Sequence, residues 1–219
     1  ESSPMGTVEM FVSDPDTDIQ VGITKSDTNK RISVIFRGSE SKSDWYYDLM
    51  IAKKSIGNDV CVHTGFYHQL HTNGVFESIV KKVNELTANN PDYEVFVTGH
   101  SLGAALSTLF GYEYGITTDK KVCVVSFASP RVGNFKFKQE FEARPNLCHY
   151  RVSNNRDIIT ATPMYRYHHC GKNICLYENS MEIKECEQIS WWRYTLFYCW
   201  SVADHGVKLY YDRLVKNLW

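Results

Sequence analysis

Apolar and polar positions divide the chain into short strands that alternate with amphipathic helices. Residues 19–24 and 31–36 are β-rich runs joined by the polar stretch Lys25-Ser26-Asp27-Thr28-Asn29-Lys30, which predicts a hairpin. Residues 41–51 carry Trp45, Leu49 and Met50 on one side at helical spacing, beside Lys42, Asp44 and Asp48. Val75, Ile79, Val83 and Leu86 recur every three or four residues and are followed by Asn89-Asn90-Pro91, an amphipathic helix with its stop signal. Residues 94–98 read as a short buried strand, 102–114 as an Ala-rich buried helix, 122–127 and 148–152 as two further strands, and 208–218 as a closing helix. Strands apolar on both faces that alternate with helices predict an α/β fold with a largely parallel central sheet. No repeat or low-complexity linker interrupts this pattern, so residues 1–219 read as one domain.

Composition narrows the classes. A chain of 219 residues buries roughly 70% of its surface on folding, enough for a core without metal or disulfide staples. With 43% hydrophobic and 22% charged residues it is neither disordered, collagenous nor a coiled coil. A net charge of −1 leaves no nucleic-acid footprint. No apolar run approaches the roughly 18 residues of a membrane span. The opening Glu1-Ser2-Ser3-Pro4-Met5 fits a secreted chain after signal removal, or an intracellular one if Met5 is the native start. Of seven cysteines, Cys170, Cys175, Cys186 and Cys199 crowd the last quarter. Pairing Cys170 with Cys175 and Cys186 with Cys199 closes the shortest loops of the three arrangements, and such bridges imply secretion. Cys61, Cys123 and Cys148 are expected to be reduced.

The chemistry centres on Gly99-His100-Ser101-Leu102-Gly103, between a predicted strand and a predicted helix. A Gly-x-Ser-x-Gly pattern arises by composition about 0.07 times in a chain this long. Its position adds weight, because a sharp strand-to-helix turn is what exposes the serine oxygen and places it at a helix N-terminus that favours negative charge. Ser101 is therefore the candidate nucleophile. A serine needs a base and an orienting acid, in the chain order Ser, Asp, His. Asp157 lies just past the strand at 148–152, at the sheet edge of Ser101, whereas Asp119 precedes its strand at the other edge. His205, before the final helix, is the candidate base, with His169 as the alternative. The oxyanion needs donors: the N–H of Leu102, and Ser39 in the turn after the strand at 31–36.

Together these segments resemble the class 3 lipases, typified by secreted fungal triacylglycerol lipases. The resemblance rests on Val34-Ile35-Phe36-Arg37-Gly38-Ser39, Asp44-Trp45, Val62-His63-Thr64-Gly65-Phe66, Gly99–Ala105, Phe127–Asn134, Asp157-Ile158-Ile159, Tyr167-His168-His169 and Asp204-His205, in family order. It implies an α/β-hydrolase fold. It also implies Ser101, Asp157 and His205 as catalytic triad, Ser39 and Leu102 as oxyanion hole, and residues 41–50 as a lid whose Trp45, Tyr46, Leu49 and Met50 meet the substrate. The expected protein is a monomeric, cofactor-free and metal-free hydrolase of acylglycerols that works at a lipid–water interface. Rival readings are a soluble carboxylesterase, a feruloyl-type esterase or a phospholipase on the same triad, and, from another class, a non-catalytic lipid-binding module. Three departures stand out: the short segment before the first matching strand, the loop Thr160-Ala161-Thr162-Pro163, and a cysteine-rich insert at about 169–199 that bears on substrate choice.

Overall fold

The computed structural model describes residues 6–38, 52–184 and 200–218. Ser39, the candidate lid residues Trp45, Tyr46, Leu49 and Met50, and Cys186 and Cys199 lie outside the described residues.

The elements in chain order are β1 (Thr7–Asp14), β2 (Ile19–Ser26), β3 (Arg31–Phe36), β4 (Lys53–Ser55), β5 (Cys61–His63), α1 (Thr64–His71), α2 (Val75–Asn89), β6 (Glu94–His100), α3 (Leu102–Gly115), β7 (Val122–Phe127), α4 (Phe135–Glu142), β8 (Leu147–Asn154), β9 (Lys172–Leu176), β10 (Met181–Lys184) and α5 (Val207–Leu218). Eight strands form one sheet in the order β1-β2-β3-β6-β7-β8-β9-β10, and β4 pairs with β5. The centre, β3 to β9, is parallel, while the pairs β1–β2 and β2–β3 on one side and β9–β10 on the other are antiparallel. This is the expected α/β architecture with a mostly parallel sheet. The predicted hairpin is β2–β3, in register from Val21 opposite Phe36 to Ser26 opposite Arg31.

The strands bury one face more than the other, contrary to the expectation of strands hidden on both sides. Ile32, Val34 and Phe36 of β3, Val95 and Val97 of β6, and Val122 and Val124 of β7 are at most 1% exposed and share a core with α1, α2 and α3. The alternate positions, including Phe96, Cys123 and Val125, are only half-buried. Among the described residues, the cover on that face is α5, whose Tyr210 packs with Ala128, Val152 and Leu176. Helix α2 buries the predicted stripe Val75, Ile79, Val83 and Leu86, and Asn90 ends it by donating from Nδ2 to the Leu86 carbonyl at 2.8 Å.

Of the cysteine-rich insert, residues 169–184 are described. They include β9 and β10, which lengthen the sheet beyond β8. Cys175 carries a free thiol, so the shortest-loop arrangement, with its Cys170–Cys175 bridge, is not formed. Cys175 sits inside the extended strand β9, and strand residues advance about 3.3 Å each. The chain thus carries Cys175 away from Cys170 instead of folding back to the short Cα separation a bridge needs. Cys61, Cys123 and Cys148 are free, as expected.

Candidate active site

Between the end of β6 and the start of α3 there is one residue, Ser101. Its backbone is left-handed in φ (φ 59°, ψ −120°), a conformation that costs a non-glycine residue about 1–3 kcal/mol and persists only when the surroundings enforce it. They do: its N–H donates to the Phe127 carbonyl at 2.9 Å, and its carbonyl accepts from Ala104 and Ala105. The two glycines make room for the turn. A Cβ on Gly99 would lie 2.3 Å from the Gly103 oxygen, and one on Gly103 2.4 Å from the Phe36 oxygen. Gly103→Ala is therefore expected to force β3 and α3 apart and leave little soluble protein. A soluble Gly103→Ala with native circular dichroism and unchanged melting would contradict so tight an elbow.

Asp157 follows β8 and is wholly buried. His205 closes a single 3-10 turn, Ala203–His205, just before α5. The structure brings all three candidates together. His205 Nε2 lies 2.8 Å from Ser101 Oγ, and His205 Nδ1 lies 2.9 and 3.1 Å from Asp157 Oδ2 and Oδ1. A carboxylate only accepts, so the network assigns the proton to Nδ1 and leaves Nε2 to accept from the serine hydroxyl. The carboxylate is further held by the Ile159 N–H on Oδ1 at 2.9 Å and by the Tyr210 hydroxyl on Oδ2 at 2.7 Å.

The neighbouring chain fixes these three residues. The Ser201 N–H donates to the Arg156 carbonyl at 2.7 Å, and Asn154 Nδ2 donates to the Asp204 carbonyl at 2.8 Å. Arg213 of α5 pairs with Asp204 at 3.0 Å. The Arg131 guanidinium donates to the carbonyls of Ala161 and Pro163, and its N–H to that of Thr162, pinning the loop after the acid. The ring of His100 lies 5.0 Å from that of His205, and its Nε2 donates to the His205 carbonyl at 3.0 Å. Burial, and then repulsion from His205 whenever that ring is protonated, hold His100 down to about 4, so it is neutral and a fixed donor.

Leu102 is the first residue of α3, where a backbone N–H has no acceptor within the helix. Ser39 lies outside the described residues, but its neighbour Gly38 abuts the elbow: a Cβ there would be 2.8 Å from the His100 oxygen and 3.8 Å from Ser101 Cβ. His169 is not brought to the serine. It is buried, with Nε2 against the Thr160 carbonyl at 2.7 Å. His149 bonds Ser126 Oγ at 2.8 Å inside the core. Asp119 lies at the opposite end of the sheet, in a groove of about 790 Å³ with Lys30, Asp92, Glu94 and Lys121. Four of the charges there are paired, Lys30 with Asp92 and Lys121 with Glu94. Sequence reading missed Tyr210 and Asn154. Neither belongs to a motif, and their contacts to the site span dozens of residues.

The family described as Lipase (class 3) matches residues 33–167. The chain belongs to the class 3 lipase family. This class 3 lipase-family chain is 32% identical over 150 residues to secreted mono- and diacylglycerol lipase A of Penicillium cyclopium, a match covering 68% of this chain and 48% of the relative. It is 30% identical over 168 residues to phospholipase A1-II 1 of Oryza sativa subsp. indica, covering 66% and 42%. It thus spans about half the length of these relatives. A lipase from Rhizopus microsporus var. chinensis superposes with TM-score 0.81 at 27% identity, over 92% of this chain and 73% of that one. The triacylglyceride lipase of Rhizomucor miehei shares the fold, with TM-score 0.83 at 24% identity over 93% and 80%. The fold of this lipase-family member is accordingly the α/β-hydrolase fold.

Proposed function

We propose that this chain is a serine ester hydrolase that cleaves acylglycerols through an acyl-enzyme on Ser101. The observation that carries the reading is the continuous hydrogen-bonded series from Ser101 Oγ through His205 to the buried Asp157. Ser101 Oγ attacks the ester carbonyl as His205 Nε2 takes its proton, and Asp157 holds the imidazolium that forms. The N–H of Leu102 and Ser39 receive the oxyanion. His205 protonates the departing alcohol, then activates water to release the fatty acid by the same route. Trp45, Tyr46, Leu49 and Met50 act as the substrate-covering lid, and an apolar lid of that kind exposes its underside on opening at a lipid surface.

The Penicillium relative is described as a mono- and diacylglycerol lipase and the rice relative as a phospholipase A1, so both substrate classes belong in the test. Hydrolysis of diacylglycerol, triacylglycerol, phosphatidylcholine and a short soluble nitrophenyl ester would be followed across each lipid's aggregation threshold. Preference for the acylglycerols with a jump in rate at the threshold is expected. Smooth saturation with the soluble ester alone would instead mark an esterase. A folded protein that a fluorophosphonate does not label would mark a non-catalytic lipid binder. We also propose secretion, on the likeness to the secreted Penicillium lipase; finding the protein in cell lysate and none in the medium would refute it.

A further inference from the structure

Tyr210 occupies the junction between the acid and the helix that follows the base. It lies on α5 five residues after His205, and it is 3% exposed. Its hydroxyl donates to Asp157 Oδ2 at 2.7 Å and accepts from the Asn154 N–H, at the end of β8, at 2.9 Å. One oxygen therefore joins the strand that delivers the acid, the acid itself, and the helix that follows the base. The edge of its ring meets that of His100 at 5.6 Å, and His100 in turn donates to the His205 carbonyl. Asp157 Oδ2 thus takes two donors side by side, the imidazole N–H and the phenol.

We propose that Tyr210 is a positioning residue that sets both the orientation of Asp157 and the basicity of His205. This rests on the triad reading given above. Each donor on a carboxylate draws charge from it, so the phenol competes with imidazolium for the same oxygen. With the phenol in place, the carboxylate is held against the imidazole and its pull on the His205 proton is moderated. Without it, the carboxylate is freer to rotate and pulls harder on the imidazolium. The ionisable groups around the hydroxyl are Asp157, His205, His100 and the Cys175 thiol. Burial and then the charge of Asp157 push the phenol well above its usual value, so it remains a donor throughout the working range.

The experiment compares wild type, Tyr210→Phe and a protein with fluorotyrosine placed site-specifically at 210. For Tyr210→Phe, kcat should fall about tenfold with KM little changed, and the acid limb of the kcat/KM profile should rise by about half a pH unit. Fluorotyrosine, a stronger donor of similar size, should shift that limb downward. The low-field Nδ1 proton of His205, read by NMR without any turnover, should move in opposite directions in the two variants. A profile and proton resonance unchanged in both would overturn the proposal and leave Tyr210 as packing. If Tyr210→Phe does not fold, the fluorotyrosine protein decides alone. Absence of hydrolysis in wild type would defeat the functional reading, while the NMR shift would still judge the tyrosine.

Discussion

Ser101→Ala is expected to reduce ester hydrolysis by about 10⁴–10⁶ in kcat while leaving the fold and the melting temperature nearly unchanged. The size follows from how the groups depend on one another. His205 Nε2 has the serine hydroxyl at 2.8 Å, and Asp157 orients His205 from the other side. Once the nucleophile is gone, both remaining groups act on nothing. The residual rate would come from the Leu102 N–H and substrate binding acting on water. Stability should hold or rise slightly, because alanine at 101 keeps the backbone contacts to Phe127, Ala104 and Ala105 and loses only one hydroxyl. Steady-state kinetics on an emulsified diacylglycerol, with fluorophosphonate labelling and thermal melting in parallel, measures all three. Activity within tenfold of wild type would remove Ser101 from the chemistry. Loss of labelling together with a large drop in melting temperature would show that the substitution damaged the elbow.

The second large effect concerns acid. Three histidines, the buried His149 and His169 and the half-buried His100, are held neutral. His149 is pushed down to about 3, by burial first and then by the charge of Arg151. His169 lies well below its ordinary value, through burial and then Arg151 and Arg131. His100 stands at about 4. In the unfolded chain all three titrate near 6.5. As pH falls through that value the unfolded state takes up protons that the folded state refuses, so the unfolding free energy drops on acidification. Each imidazole contributes a slope of roughly 1.4 kcal/mol per pH unit, and three together about 4 kcal/mol per unit between pH 6 and 4.5. Domains of this size hold about 5–15 kcal/mol in all. The native state is therefore expected to fail below about pH 5. Urea unfolding at pH 7.5, 6.5 and 5.5 tests the sign and the slope, and His149→Gln should flatten the slope by about a third. Stability that holds constant or rises on acidification would refute the assignment of these three rings as neutral in the fold.

Much of this architecture is legible in the sequence because its signals are local. Helix α2 repeats an apolar residue every three or four positions, and the β2–β3 hairpin is two runs around a polar turn, so periodicity alone locates them. The elbow is local too: Gly99 and Gly103 are glycines because their neighbours leave no room for a Cβ. Strand β1 is not legible in the sequence for a physical reason. It is an edge strand whose register shifts between Val8 and Met10, which breaks the alternation, and Val8 and Phe11 are 72% and 63% exposed. The insert misled differently. Cysteine spacing suggested a small bridged loop, whereas backbone pairing with β8 drew residues 172–176 into the sheet and carried Cys175 away from Cys170. Chain order and position relative to strand ends single out Asp157 and His205, which the structure brings into one hydrogen-bonded series with Ser101. Tyr210 and Asn154 are not singled out, because what they do depends on a hydrogen bond spanning 56 residues that no spacing rule encodes.

The separations along the chain have a consequence for how the protein can be watched as it folds. His205 meets Asp157 across 48 residues and Ser101 across 104. Contacts that far apart form late, after the helices and the hairpin, because the intervening chain must first be organised. Regained turnover after dilution from denaturant is then a clock for the last long-range docking. Far-ultraviolet ellipticity, which follows the local elements, would run ahead of it, and the interval between the two signals would be the lifetime of a chain that has its scaffold but no chemistry.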